Sequence, residues 1–262
     1  MKFKKVLLSI VCCVFITELY AQSITVDDTR TPNDLVNLLV GNSCSAISNV
    51  AISSSQSVAY FNQNGSIFPI NEGVLIRSGI AAHTQGIYTG NNLDSQVNTN
   101  SDADLQQISN NSGQVAQITD VAFLEFNFIP PSTNFNFNFL FSSNEFGEWQ
   151  CGFSDVFAFI LTDLTTGEKV NLAVVPSSGN PISVKEIRDN QYNSSCSSVN
   201  PQLFGTYNVD NPGASSINMR GHTVVMNASA TIKPNNPYSI KVVIGDYNDS
   251  KYDSAVFIEA GS

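Results

Sequence analysis

The stretch FLEFNFIPPSTNFNFNFLF, residues 123–141, decides the fold class. Its phenylalanines alternate with polar or small residues on both sides of Pro130 and Pro131, and the side chains of a β-strand point to opposite faces in turn. The stretch therefore predicts two half-buried strands joined by a turn at the prolines. The alternating aromatic residues are Phe126, Phe128, Phe135, Phe137, Phe139 and Phe141.

Further strands are predicted on the carboxyl-terminal side of this stretch. DVFAFILTD (residues 155–163) and KVNLAVVPSS (residues 169–178) are nearly continuous apolar runs, and the turn residues 165–167 between them predict a hairpin at the centre of a packed sheet. Three more runs complete the set, at residues 222–232, 238–247 and 254–260. No change in composition divides the chain. We therefore expect one all-β domain over residues 22–262, an antiparallel β-sandwich of jelly-roll or lectin-like type.

One short N-terminal helix is expected to pack on this sandwich. Thr31 is a suitable N-cap, Pro32 fits the first helical position, and Gly41 fits the stop. The apolar residues between them, which we expect on one helix face, are Leu35, Val36, Leu38 and Leu39.

Residues 1–21 have the layout of a secretory signal peptide. Three lysines precede an apolar run over residues 6–16, and a short polar stretch ends at Ala21. The run is about a dozen residues long, whereas a membrane-spanning helix needs about 20. We therefore expect cleavage near Ala21 and no transmembrane segment in the mature chain. Lipid modification of Cys12 is the alternative, although Val11 is larger than the residue such sites usually have before the cysteine.

The charge of the chain excludes some partners. Removal of residues 1–21 takes away three lysines and one glutamate, which changes the formal net charge from −10 to −12. Such a surface repels phosphate backbones and anionic lipids, so no nucleic-acid partner is expected. An acidic surface also suits calcium, although solubility alone is a sufficient reason for the charge.

Three cysteines remain after residue 21: Cys44, Cys151 and Cys196. An exported protein meets an oxidising environment, so one disulfide and one leftover thiol are expected. The sequence leaves the pairing open. We favour Cys151 with Cys196, because both lie in polar loops beside the strand-rich centre, and leave Cys44 free or transiently paired.

Acidic residues form two candidate sites. Glu145, Glu148 and Asp155 surround the loop before the strand at residues 155–163. Two such carboxylates about 5 to 9 Å apart are the catalytic pair of a glycosidase. The alternative, which we favour, is a loop whose acids bind backbone amides or an ion.

The second acidic candidate is the stretch GDYNDSKYDSAVF, residues 245–257. Its oxygen-bearing side chains are Asp246, Asn248, Asp249 and Asp253. Such a density of oxygen ligands suits calcium, but the spacing is not that of an EF-hand, and turns between strands have the same composition without a metal. With Glu145 and Asp155, these four residues form our candidate structural calcium site. Asp102 and Asp104 are a weaker candidate, for which a solvated loop is favoured.

Asp155 and Asp253 each stand at the entry to an apolar strand. A buried or semi-buried carboxylate at such a position needs a partner, and Arg77, Arg188 or a cation can supply it.

Other catalytic chemistry finds little support in the sequence. The two histidines, His83 and His222, stand far apart, and no zinc-protease, nucleophile-elbow or CxxC motif occurs. Trp149 beside Glu148 has the chemistry to bind a sugar face and its hydroxyls, although a lone tryptophan is more often part of the packing.

Several blocks of the chain resemble the choice-of-anchor L domain family. The most distinctive are SNEFGEWQCGFSDVFAF (residues 143–159) and DYNDSKYDSAVFIEAGS (residues 246–262), preceded by TPNDLVNLLVG (residues 31–41) and FPINEGVLIRSG (residues 68–79). The resemblance is collinear over nearly the whole mature chain. Where the family usually has Glu-Glu-Tyr, this chain has Asn144, Glu145 and Phe146, so only Glu145 carries over from that acidic pair.

The resemblance implies a domain of large surface proteins of gliding and environmental bacteria. In that family, repeats and a carboxyl-terminal sorting signal for type IX secretion usually follow the domain. Since this sequence stops at Ser262, we expect either a fragment or a chain without its anchoring segment.

Together these observations predict a secreted or cell-surface, outer-membrane-associated module without catalytic activity. We expect it to serve adhesion or the binding of an extracellular glycan or surface polymer, with calcium as a structural ion. The alternatives are a glycan-degrading hydrolase that uses Glu145 and Glu148, and a purely structural spacer.

Overall fold

The computed structural model describes residues 22–41, 46–98 and 100–262. The predicted signal peptide and Cys44 lie outside these ranges. Two antiparallel sheets form a sandwich, which confirms the predicted fold class. One sheet contains β1 (Thr25–Asp27), β3 (Val58–Asn62), β4 (Glu72–Arg77), β6 (Asn134–Ser143), β9 (Phe204–Tyr207), β10 (Gly221–Thr223), β11 (Met226–Thr231) and β13 (Ser254–Glu259). The other contains β2 (Ala46–Ile52), β5 (Ile118–Ile129), β7 (Val156–Asp163), β8 (Lys169–Asn171) and β12 (Tyr238–Tyr247).

The order of strands determines which of them meet at the same end of the sandwich. The first sheet has the order β1-β3-β4-β13-β6-β10-β9, with β11 also paired to β6, and the second has the order β2-β5-β12-β7-β8. Because neighbours are antiparallel, the carboxyl ends of β4 and β6 lie beside the amino end of β13. In the second sheet, the carboxyl end of β12 lies between the amino ends of β5 and β7.

Phenylalanines fill the space between the sheets. All six alternating phenylalanines of residues 123–141 are buried, and they pack with β7 and β12 in one cluster. The ring of Phe139 lies 5.3 Å from that of Phe157 and 5.2 Å from that of Phe159. Since β5 and β6 belong to different sheets, the turn at Pro130 and Pro131 carries the chain from one sheet to the other.

The outer face of each sheet is also covered. Beyond the first sheet, Phe61, Phe68 and Phe257 form a second buried cluster. Over the second sheet, Leu105 packs with Val243 and other apolar residues of β7 and β12. Strands that are buried on both faces explain the nearly continuous apolar runs in the sequence.

The described part of the chain contains two α-helices where the sequence predicted one. The first, α1 (Pro32–Val40), has the predicted N-cap, since Thr31 and Asp34 exchange side-chain and backbone hydrogen bonds. The second, α2 (Ala103–Asn111), begins at the N-cap Asp102, whose carboxylate accepts the Leu105 N–H at 2.9 Å. The sequence analysis missed α2 because it is short and mostly polar.

This second helix changes the interpretation of Asp102 and Asp104, which were expected in a solvated loop. Lys241 binds both carboxylates, at 2.7 and 3.1 Å, and Lys169 binds Asp104 at 2.7 Å. Asp102 thus caps the helix, and both acids fasten it to the second sheet.

The predicted hairpin forms, but its position differs from the prediction. β7 pairs with β8 through the expected turn, and β7 lies inside the sheet. However, β8 is the edge strand, with Val170 47% exposed. The apolar residues that suggested a central strand, Ala173 and Val175, are buried only after β8 has ended.

Among the described residues, no helix has the length and apolar character needed to cross a membrane.

Truncation of Phe139 tests the core. We expect Phe139→Ala to lower the free energy of unfolding by about 3 to 5 kcal/mol, because it leaves a cavity between two fully buried rings. Urea denaturation measures this change. Val115→Ala, at a side chain that is 76% exposed, is the control and is expected to change stability by less than about 0.5 kcal/mol. A loss below about 1 kcal/mol for Phe139→Ala would contradict this packing.

Candidate functional site

Three connecting segments meet at one end of the sandwich. They are residues 78–98 after β4, residues 144–155 between β6 and β7, and residues 248–253 between β12 and β13. Backbone hydrogen bonds join them, from Asn144 to Asp253 at 3.2 Å and from Ser78 to Ser254 at 3.0 Å. We call this region the loop end.

Glu145 and Asp155 lie buried in the floor of the loop end. One Glu145 carboxylate oxygen accepts the N–H of Asp155 at 2.8 Å. The Asp155 carboxylate accepts the N–H of Tyr247 at 3.0 Å and the hydroxyl of Ser254 at 2.7 Å. Asp155 therefore links the start of β7 to the end of β12 and the start of β13. Burial raises the pKa of both carboxyls.

Asp253 forms a buried ion pair. Its carboxylate lies 2.9 Å from Nε of Arg77, and neither side chain is exposed. The same carboxylate accepts the hydroxyl of Ser95 at 2.6 Å and its N–H at 3.0 Å. Gly79 is required here, since a Cβ at this position would collide with Asp253 Oδ2. The sequence analysis had named Arg77 as a possible partner for the buried acids, and the structure shows that contact.

Asp246 differs from its neighbours because no described group donates a hydrogen bond to its carboxylate or pairs with its charge. Both carboxylate oxygens are buried, and neither has a hydrogen-bond partner among the described residues. Burial raises the pKa of Asp246, and the charges of Asp155 and Asp253 raise it further. The hydroxyl of Ser78 acts in the opposite direction and lowers this pKa.

Asp120 is a fifth buried acid, which the sequence analysis did not name. Its carboxylate accepts the N–H groups of Val97, at 3.3 Å, and Asn98, at 2.9 Å. Burial raises its pKa to about 6. Asp120 stands before an apolar run, as Asp155 and Asp253 do, and that signal was available in the sequence.

Acidic groups therefore outnumber basic groups among the buried side chains of the loop end. Five carboxyl side chains are buried, and Arg77 is the one buried Lys or Arg side chain in the part of the chain that the structure describes. The buried acids are Asp120, Glu145, Asp155, Asp246 and Asp253. An uncompensated carboxylate is strongly unfavourable in such surroundings.

The structure separates the six predicted calcium ligands into two groups. Glu145, Asp155, Asp246 and Asp253 are buried together. Asn248 and Asp249 belong to the turn outside them. Asn248 is exposed and has a positive φ of 76°, and Asp249 accepts the N–H of Lys251 at 3.1 Å. These two residues have the turn role that was the alternative to a metal site.

Trp149 and Tyr252 form the outer surface of the loop end. Both are half-buried, and their rings stack with centroids 5.4 Å apart. The guanidinium of Arg220 lies 5.6 Å from the Tyr252 ring and 2.9 Å from the exposed carboxylate of Glu148. Neither Trp149 Nε1 nor Arg220 Nε has a hydrogen-bond partner among the described residues. We call these four residues the aromatic surface.

The backbone beneath the aromatic surface is held in unusual conformations. Tyr252 has a positive φ of 63°, which is strained for a bulky residue, and such strain is concentrated at functional sites. Gly147 has a φ of 78°, and a Cβ there would collide with the hydroxyl of Tyr207.

A disulfide fixes the same loop. Cys151 and Cys196 are bonded, with Cα atoms 5.6 Å apart, which is the pairing that the sequence favoured. The amide of Asn193 also donates to the carbonyls of Gly147 and Glu148, each at 3.0 Å.

Glu145 and Glu148, the hypothetical catalytic pair, lie in different environments. The side chain of Glu148 is 57% exposed and bound to Arg220, whereas Glu145 is only 1% exposed. A substrate in solvent has no access to Glu145, and this burial disfavours its use as a glycosidase acid or nucleophile.

The described residues include His, Cys, Asp and Glu side chains, the types that bind metal ions. Among those residues, no three His, Cys, Asp or Glu side chains converge in a geometry that would hold a metal ion. The two histidines are separate, and burial lowers the pKa of each.

An apolar groove of about 290 Å³ lies beside edge strand β9. Exposed apolar side chains such as Ile67, Val224 and Val225 line it, with backbone and side chains of β9 and β10. Its lining contains no Lys, Arg, Asp or Glu. The groove therefore lacks the charged groups present at the loop end.

Replacement of Asp120 tests the buried charge through its pH dependence. A carboxyl whose pKa rises to about 6 on folding stabilises the protein at low pH and loses this contribution as the pH rises through about 6. Asparagine removes the charge and tolerates the positive φ of 46°. We expect Asp120→Asn to gain about 1 to 2 kcal/mol over the wild type between about pH 4.5 and pH 8.

Urea unfolding at both pH values measures this gain. Asp210→Asn, in an exposed position, is the control and should follow the wild type. A stability difference between Asp120→Asn and wild type that does not change with pH would refute the assignment.

Comparison with known proteins identifies the family. No curated protein and no solved structure matches the chain. A sequence model of the choice-of-anchor L domain matches residues 24–262, which includes every residue of the loop end and confirms the resemblance. Such a domain indicates a module of a surface or secreted protein. The chain therefore belongs to the choice-of-anchor L domain family.

Proposed function

We propose that this chain is a non-catalytic module, exported by the signal peptide at residues 1–21, that binds a glycan or surface polymer at the cell surface. The aromatic surface at the loop end is the binding site. Family membership supports the surface location, and the loop end supports the binding.

The observation that carries the proposal is the combination of stacked rings and charged groups in one place. Trp149 and Tyr252 offer flat apolar faces, on which the apolar face of a sugar ring can pack. Arg220 and Glu148 offer a donor and an acceptor for hydroxyl groups beside those rings. Ligand sites in general combine apolar contact area with a few placed polar groups.

Two donor groups beneath the aromatic surface lack acceptors. The indole N–H of Trp149 and the Nε–H of Arg220 have no acceptor among the described residues, and both residues contact Tyr252. A buried donor without an acceptor costs free energy. Both donor atoms are inaccessible to solvent, so they are a cost of this arrangement and not contacts for a ligand.

The aromatic surface is also organised before a ligand binds. The Cys151–Cys196 disulfide and the Asn193 hydrogen bonds hold residues 147–151 in place. A site that is already ordered loses less entropy on binding. A spacer that only separates other domains has no need of a strained tyrosine and an ordered aromatic pair.

Substitution of Trp149 tests the proposal. We expect Trp149→Ala to weaken binding about tenfold or more on a glycan array, since the loss of one stacked ring is worth about 1 kcal/mol beyond its buried area. Trp149 is the single tryptophan of the sequence. Intrinsic fluorescence of the wild type should therefore change on addition of a glycan that binds the array.

Tyr60→Ala is the matched control. Tyr60 is a half-buried tyrosine with Arg30 3.5 Å above its ring and Glu72 bound to its hydroxyl, away from the loop end. It should retain wild-type binding. Absence of binding to every glycan and surface polymer tested would favour the spacer, and equal losses in both variants would place the binding site elsewhere.

A further inference from the structure

The proposed role of the aromatic surface does not account for the buried carboxylate of Asp246. It lies at the end of β12 with both side-chain oxygens buried and without hydrogen bonds to any described residue. The nearby Ser78 hydroxyl makes its own hydrogen bonds with the backbone of Ser254, at 3.3 and 3.0 Å. A buried carboxylate in this state needs a positive partner or a proton.

The neighbouring acids have the partners that Asp246 lacks. Asp253 has Arg77 and Ser95, and Asp120 has two backbone N–H groups. Asp155 has one N–H group and one hydroxyl. Asp155 and then Asp253 are the acids whose charges act most strongly on Asp246. Gly245 pairs with Val156 in the antiparallel ladder of β12 and β7, so Asp246 and Asp155 occupy the next pair of opposite positions.

We propose that a calcium ion binds between Asp246 and Asp155 in the floor of the loop end. Calcium accepts six to eight oxygen ligands, including carboxylates, carbonyls, hydroxyls and water, in flexible geometry. Each oxygen of Asp155 accepts one hydrogen bond and keeps a lone pair for the ion.

The composition of this site favours calcium over other ions. Since no three acidic, histidine or cysteine side chains converge among the described residues, two carboxylates supply the charge, and hydroxyl, carbonyl or water oxygens complete the shell. Histidine and cysteine, which zinc prefers, are absent from the cluster. Magnesium demands a near-ideal octahedron and gives up its water shell reluctantly, so it is seldom held in a cage made of protein groups alone.

The proposed ion has a structural role and does not depend on glycan binding. It would neutralise Asp246 and hold β12 against the start of β7 through Asp155. Since Tyr252 and Trp149 lie on the same loops, loss of the ion would also disorder the aromatic surface.

Calcium titration of the chelator-treated full chain tests the proposal. Extracellular calcium modules bind with dissociation constants of about 0.1 to 1 mM. At about 10 mM calcium and neutral pH, we expect the melting temperature to rise by about 5 to 10 °C. Terbium should bind in a ratio of about one per chain, with luminescence sensitised by Trp149, and calcium should displace it.

Two asparagine variants locate the ion. Asp246→Asn should abolish the calcium-dependent shift and, without calcium, be at least as stable as the wild type, because it removes a buried charge. Asp249→Asn removes the same charge three residues away in the outer turn and should keep the shift. An equal shift in Asp246→Asn and wild type would overturn the proposal.

If Asp246→Asn does not fold, the measurements on the wild type alone still test the proposal. The melting temperature of the wild type could stay the same after chelation and after calcium addition, with no terbium bound. That result would show that protons, and not a cation, neutralise the buried carboxylates, and it would overturn the proposal. Retention of the calcium shift in a chain that binds no glycan would overturn the proposed function and leave the ion site standing.

Discussion

The loop end is organised by buried negative charge. Asp155, Asp246 and Asp253 lie at points where β7, β12 and β13 begin or end, and each is fully buried. Apolar residues cover both faces of both sheets, so the polar side chains at these strand ends have no route to water. Their negative charge must be offset by a basic group of the protein, by a bound proton or by a bound cation. We expect the conformations of the surrounding loops to depend on which of these groups offsets the charge of the buried carboxylates.

The buried floor and the aromatic surface are parts of one arrangement. Asp253 follows Tyr252 directly, and its ion pair with Arg77 fixes the residue beside the strained tyrosine. Glu145 and Trp149 lie four residues apart on the loop that the disulfide closes. An electrostatic change in the floor would therefore move the rings above it. This connection links the acids of the interior to the proposed binding surface.

Local patterns in the sequence predicted much of this structure. The alternating phenylalanines of β5 and β6, the Thr31 cap of α1 and the acids before apolar strands each depend on a few adjacent residues. The helix α2 was missed because nine mostly polar residues give little periodicity, and its stability comes from Lys241 and Lys169, which are distant in the sequence. The edge position of β8 was also missed, since a short apolar run does not show which side of a sheet it joins.

The site itself was predicted only in part, for the same physical reason. The sequence indicated that Asp253 needed a partner, but Arg77 lies 176 residues away, and nothing local shows that the two meet. Asn248 and Asp249 looked as suitable for a metal as Asp246 did, because composition does not distinguish a turn from a buried cluster. The isolation of Asp246 is visible only in three dimensions.

The metal content of the purified protein tests the central claim most directly. The chain is equilibrated at neutral pH with about 1 mM calcium, transferred briefly to calcium-free buffer, and analysed by elemental mass spectrometry beside Asp246→Asn. If calcium neutralises the buried carboxylates, we expect about one calcium per wild-type chain and almost none in the variant. A wild-type chain without bound calcium, or a variant with as much as the wild type, would contradict it.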